Sequence, residues 1–184
     1  MTTVAKDPLL AIAQTLLLIA QVFLLVAAAA LAAAIPVLLV GRGQIAARLE
    51  ASLGANAGTP IATLLTIVAL ALIIVALMWL FVRHLRRIVG TVAEGDPFVH
   101  ANADRLSTMG WIAVGVQVLS IGIGLLALTL PDAAKEPLGS DAFKIAVTGD
   151  SFSLDGVVLI LVLFILARVF RKGAEMRTDL EGTV

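Results

Sequence analysis

The 184-residue sequence has no cysteine and no tyrosine, few aromatic residues, and a charged fraction of only 14%. Without cysteine there is no disulfide, no thiolate nucleophile and no Cys-ligated metal. Basic and acidic residues balance at 13 each, so no positive excess marks a nucleic-acid binder. Soluble domains carry about 25% charged residues and are about half apolar, whereas this chain is 60% hydrophobic. That departure excludes an ordinary soluble domain, and disorder as well, which needs low hydrophobicity.

What the sequence has in abundance is long uncharged runs. A helix needs about 20 apolar residues to cross about 30 Å of hydrocarbon. No charge interrupts Pro8 to Gly41, the stretch between Pro60 and Arg83, or the stretch between Arg105 and Asp132. A fourth run is shorter, Gly156 to Ala167, and reaches spanning length only if Arg168 lays its stem along the helix. The pattern predicts an all-α integral membrane protein, a single domain over residues 1–184 with four transmembrane helices in a bundle. The spans fall at about 9–40, 61–82, 106–130 and 153–170, with a loop at 83–105 and a tail at 171–184. The first run is more than twice the about 7–15 residues of a signal-peptide core, so it reads as a retained span. Pro36 would permit a bend in it.

Lys6, Arg83, Arg86, Arg87, Arg105, Arg168, Arg171, Lys172 and Arg177 fall on one side of this arrangement; Arg42, Arg48, Lys135 and Lys144 fall on the other. The positive-inside rule then places both termini, the 83–105 loop and the tail in the cytoplasm. Trp79, Phe81 and Trp111 lie at the span ends next to the basic loop, where interfacial aromatics belong. Ile45, Leu49 and Leu53 share a helical face, which predicts a short amphipathic helix over residues 44–53 in the first outer loop, stopped by Gly54. In the third loop, Phe143, Ile145 and Val147 alternate with Lys144, Ala146 and Thr148, a short β pattern. On the inner side, Val82 to Ala93 extends the second helix until Glu94-Gly95-Asp96-Pro97 breaks it. Asn102 is placed to cap the helix that follows.

Three glutamines, Gln14, Gln21 and Gln117, lie at membrane depth, with the first two on one helical face. Two readings stand side by side. The amides are interhelical glue, worth about 0.6–2 kcal/mol per hydrogen bond, or they line a polar path between spans one and three. No charged residue occupies the middle of a span, where ion-coupled transporters usually carry one. Small residues four apart (Ala28/Ala32, Ala29/Ala33, Ala30/Ala34, Ser120/Gly124) suit close helix contact, within the bundle or in a homo-oligomer. His84 sits among arginines, which repel a metal, and two histidines make no usual zinc set. Glu94 and Asp96 read as turn residues, and Ser151 and Ser153 have no neighbouring histidine as a base. The expectation is a protein without catalysis, cofactor or metal.

The second loop carries Gly95-Asp96-Pro97-Phe98, Asn102-Ala103-Asp104-Arg105-Leu106 and Gly110-Trp111. Further on stand Phe152-Ser153-Leu154-Asp155-Gly156, Ala167-Arg168-Val169-Phe170-Arg171-Lys172-Gly173-Ala174 and the terminal Asp179-Leu180-Glu181-Gly182-Thr183-Val184. In these blocks the chain resembles a small bacterial four-span membrane family of unknown function, domain of unknown function twenty-nine seventy-five. Leucine often stands where this chain has Gly182, a departure that loosens the tail. The resemblance implies a four-helix fold in the bacterial inner membrane. It also implies a genetic neighbourhood with a short helix-turn-helix regulator, and so a membrane component that holds a DNA-binding protein without touching nucleic acid itself. The matching cytoplasmic positions become candidate partner-binding residues: Asp96, Pro97, Phe98, Asn102 and Arg105 in the loop, with Arg171, Gly173, Glu181, Thr183 and Val184 in the tail. The competing reading is that these residues pack the cytoplasmic ends of the helices. The functional expectation is a non-enzymatic membrane scaffold or sensor that contacts a cytoplasmic helix-turn-helix regulator. The alternative is a small transporter or channel subunit using Gln14, Gln21 and Gln117.

Overall fold

A computed structural model describes residues 8–53, 58–130 and 154–181. These residues form four helices, α1 (Pro8–Leu53), α2 (Gly58–Ala93), α3 (His100–Leu128) and α4 (Leu154–Glu181), with no strand among them. The expected β segment at Phe143–Thr148 lies outside the described residues, as do Thr183 and Val184.

Two differences from the sequence reading concern helix ends and composition. The helix expected in the first outer loop is not separate: residues 44–53 continue α1, which runs unbroken through Pro36 and the two glycines beyond it. A proline removes one helical hydrogen bond and an interior glycine costs about 1 kcal/mol against alanine. Neither stops a helix whose neighbours are alanine, leucine and valine. The second difference lies in α4. Three helical stretches, Pro8–Gly41, Ile61–Ala93 and His100–Leu128, are long and apolar enough to cross a membrane, and α4 is not among them. Its uncharged stretch, Gly156 to Ala167, rises only about 18 Å against the about 30 Å of hydrocarbon. The rest of this helix carries Asp155 before that stretch and Arg168, Arg171, Lys172, Glu175, Arg177, Asp179 and Glu181 after it.

The described residues divide into two compact units. One comprises 8–25, 77–115 and 154–181; the other comprises 26–53, 58–76 and 116–130. In the second unit Leu64 and Ile67 of α2 pack on Ile123 and Ala127 of α3 and on Leu130, with Ala71 and Ile74 alongside. The spacing 64, 67, 71, 74 keeps one face of α2 on its neighbour. Backbone bonds from Thr129 to Leu126 (3.0 Å) and from Leu130 to Ala127 (3.2 Å) tighten the last turn of α3.

In the first unit Ile88 of α2, Leu106 and Met109 of α3, and Leu163 and Ala167 of α4 form the core, with Phe81, Leu85, Ala113 and Phe170 against it. On α4 the inward-facing line runs Leu163, Ala167, the half-buried Phe170, and Ala174, steps of four, three and four, which turns the charged residues of that helix outward. At Gly110 α3 and α4 approach closely. A Cβ there would meet the Phe164 ring at 3.0 Å, and Trp111 packs edge-on against the same ring with centroids 5.6 Å apart. The Gly110-Trp111 pair noted in the sequence is therefore a seat for Phe164.

Candidate functional site

The site assembles where α2 ends. Gly95 has φ +83°, the left-handed conformation that glycine adopts without Cβ strain. It allows the Gly95 N–H to bond the Val92 carbonyl and the Asp96 N–H to bond the Thr91 carbonyl, both at 3.0 Å. This is the Schellman pattern, which satisfies carbonyls that a helix end leaves open, and Pro97 follows where the helix cannot resume. Glu94 and Asp96 are thus turn residues, as the sequence suggested.

Asn102 is fully buried and joins three segments. Its Nδ2 donates to the Thr91 hydroxyl at 2.7 Å and to the Pro97 carbonyl at 2.9 Å, while its Oδ1 accepts from Arg105 at 2.8 Å. The Thr91 hydroxyl in turn donates to the Ile88 carbonyl at 2.8 Å. The expected role of Asn102 as helix cap is therefore corrected. Helix α3 begins at His100, and the Asn102 N–H bonds the Val99 carbonyl at 2.9 Å. The side chain reaches back to α2 and the turn rather than capping its own helix, because its two amide donors there meet two half-buried acceptors, the Thr91 hydroxyl and the Pro97 carbonyl.

The tail closes over this turn. The Phe98 ring lies against Gly173, so that a Cβ on Gly173 would stand 2.7 Å from Cδ1, and the same ring packs on Phe170 with centroids 5.3 Å apart. Arg177 donates to the Asp96 carboxylate, and Arg171 reaches Asp104 at 3.4 Å. Both ion pairs are solvent-exposed and each contributes at most about 1 kcal/mol; the aromatic seat and the buried amide do more to set the geometry.

Of the sequence-derived partner-binding candidates, the structure brings together Asp96, Pro97, Phe98, Asn102, Arg105, Arg171 and Gly173. Glu181 ends α4, and Thr183 and Val184 lie outside the described residues. Thr91 went unrecognised in the sequence, since a threonine near a helix end gives no signal of its own. Phe170, Arg177 and Asp104 were visible as motif or charge, but their pairing was not.

The glutamines separate. Gln21 accepts a hydrogen bond from Arg86 at 3.1 Å, and Gln14 and Gln21 line one cavity with Trp79, Arg83, Arg86, Arg87 and Gly90. Gln117 belongs to the other unit. Gln14 and Gln21 thus face the basic stretch of α2, whose guanidinium is a stronger donor than another amide.

Four helices and three long apolar stretches define a helical protein of the membrane type. Within that class, the model of the family described as Protein of unknown function (DUF2975) matches residues 44–184, and the chain belongs to that family. No curated protein and no solved structure matches the chain. The loop–tail cluster lies wholly within the matched residues, whereas Gln14 and Gln21 precede them.

Proposed function

We propose that this is a multi-pass protein of the bacterial inner membrane that works without catalysis. Its cytoplasmic loop and tail hold a helix-turn-helix regulator. The observation that carries the reading is the contact of Phe98 with Gly173. It joins two motif blocks far apart in the sequence, at the place where the basic residues crowd. Glu94, Ala101 and Met176 are exposed and available to a partner. In this reading α4 makes a fourth crossing, with Arg168 placing its guanidinium among the headgroups, and both termini face the cytoplasm.

The test is photo-crosslinking in living cells, with a crosslinking amino acid at Glu94, Ala101 or Met176 in turn. The expected product is one DNA-binding protein attached at loop and tail positions alike. Recovery of membrane components only, at all three positions, overturns the proposal. Cysteine-accessibility labelling at Glu94 and Met176 checks the fourth crossing independently, since both must react from the cytoplasmic side.

A further inference from the structure

The cavity between α1 and α2 in the first unit has a chemistry that the loop–tail reading does not use. Trp79, Arg83, Arg86, Arg87 and Gly90 follow steps of four, three, one and three, so they form one stripe along α2. Facing them on α1 are Gln14 and Gln21, two turns apart, across an open groove of about 590 Å³. Three guanidiniums line it, and no carboxylate among the described residues does. Arg83 lies over the Trp79 ring, 5.4 Å from its centroid, and Arg86 is steered by its bond to Gln21. Arg87 has no hydrogen bond or ion pair to any described residue, and Gly90 leaves its end of the cavity open, with nothing within 4 Å of where a Cβ would stand.

Three like charges within a turn and a half of helix repel one another, and an anion among them removes that repulsion. The guanidinium fork matches phosphate oxygens, which it bonds in pairs. Position selects the source of the phosphate. Arg83 is the first charge after the uncharged run that starts at Ile61, so the cavity lies at headgroup level for a helix that crosses the membrane. On α1, Leu25, one turn beyond Gln21 on the membrane side, is an exposed apolar residue on the same face, where an acyl chain would lie. We infer that the Gln14–Arg87 cavity binds the phosphodiester headgroup of an anionic phospholipid, with Arg86 and Arg87 as principal ligands.

The measurement is native mass spectrometry of the full chain in mild detergent, supplied with dioleoyl phosphatidylglycerol or dioleoyl phosphatidylcholine. A parallel arm follows thermal stability in inorganic phosphate. Phosphatidylglycerol should be retained about 10-fold better than phosphatidylcholine, and the Arg86→Gln/Arg87→Gln variant should lose about 10-fold or more of that retention. Arg87→Gln alone, which breaks no contact among the described residues, should lose several-fold and keep its helical circular dichroism. The Arg168→Gln/Lys172→Gln variant removes the same charge elsewhere and should retain the preference. Equal retention of the two lipids overturns the proposal, and so does equal loss in both double variants, which would reduce it to general surface charge. Stabilisation by inorganic phosphate with no lipid preference also overturns it, in favour of a free-anion site. None of these outcomes depends on the regulator reading.

Discussion

The ring of Phe98 occupies the space that a side chain on Gly173 would need, 2.7 Å from the position of a Cβ. One belongs to the loop after α2 and the other to α4, so this vacancy in α4 seats the loop on the tail. A glycine inside a helix costs about 1 kcal/mol against alanine, and here that cost is offset by the packing it permits. The predicted signature is a change of sign. Gly173→Ala in the native background should destabilise by about 1 kcal/mol or more through displacement of the ring. In a Phe98→Ala background the same substitution should stabilise by about 0.5–1 kcal/mol. Thermal denaturation of the four proteins in detergent measures the cycle, and additive effects would show that the contact does not govern the position.

Asn102 should tolerate little. Asn102→Ala leaves the half-buried Pro97 carbonyl without its side-chain donor and the half-buried Thr91 hydroxyl without its amide partner, at about 1 kcal/mol for each bond lost. Asn102→Asp keeps the shape and the bond to Arg105 but sets a carboxylate oxygen against the Pro97 carbonyl. A loss of stability at neutral pH comparable to that of the alanine variant is expected. If Asn102→Asp melts with the native protein, the direction of these bonds has been misassigned.

Gly95→Ala forces a side chain into the left-handed region at a cost of about 1–2 kcal/mol, with no steric contact to blame, since nothing lies within 4 Å of the would-be Cβ. Gly95→Asn should cost distinctly less, because asparagine tolerates this conformation better. Equal losses in the two variants would argue against conformational strain as the cause.

The absence of native cysteine makes proximity directly measurable. Asp96→Cys with Arg177→Cys should be joined rapidly by a short bismaleimide, and each single variant should give no intramolecular product. Stability should change by less than about 1 kcal/mol, as befits an exposed ion pair. A double variant that fails to crosslink while both thiols react singly would separate the loop from the tail.

Helicity and membrane character were legible in the linear chain because they depend on local quantities. Uncharged length decides whether a segment suits hydrocarbon, and Gly95 followed by Pro97 stops a helix wherever it lies. The same local reading differs from the structure in two places. It set the first span at about 9–40 with a separate helix over 44–53, where α1 continues unbroken to Leu53, and it counted a fourth span in α4, whose uncharged stretch between Asp155 and Arg168 is only twelve residues long. Tertiary structure alone decided what meets what: Gln21 with Arg86, Asn102 with Thr91 and Pro97 rather than with its own helix end, and Gly173 with Phe98. A residue's partner depends on which faces of separate helices come into register, and no pattern along one helix contains that register.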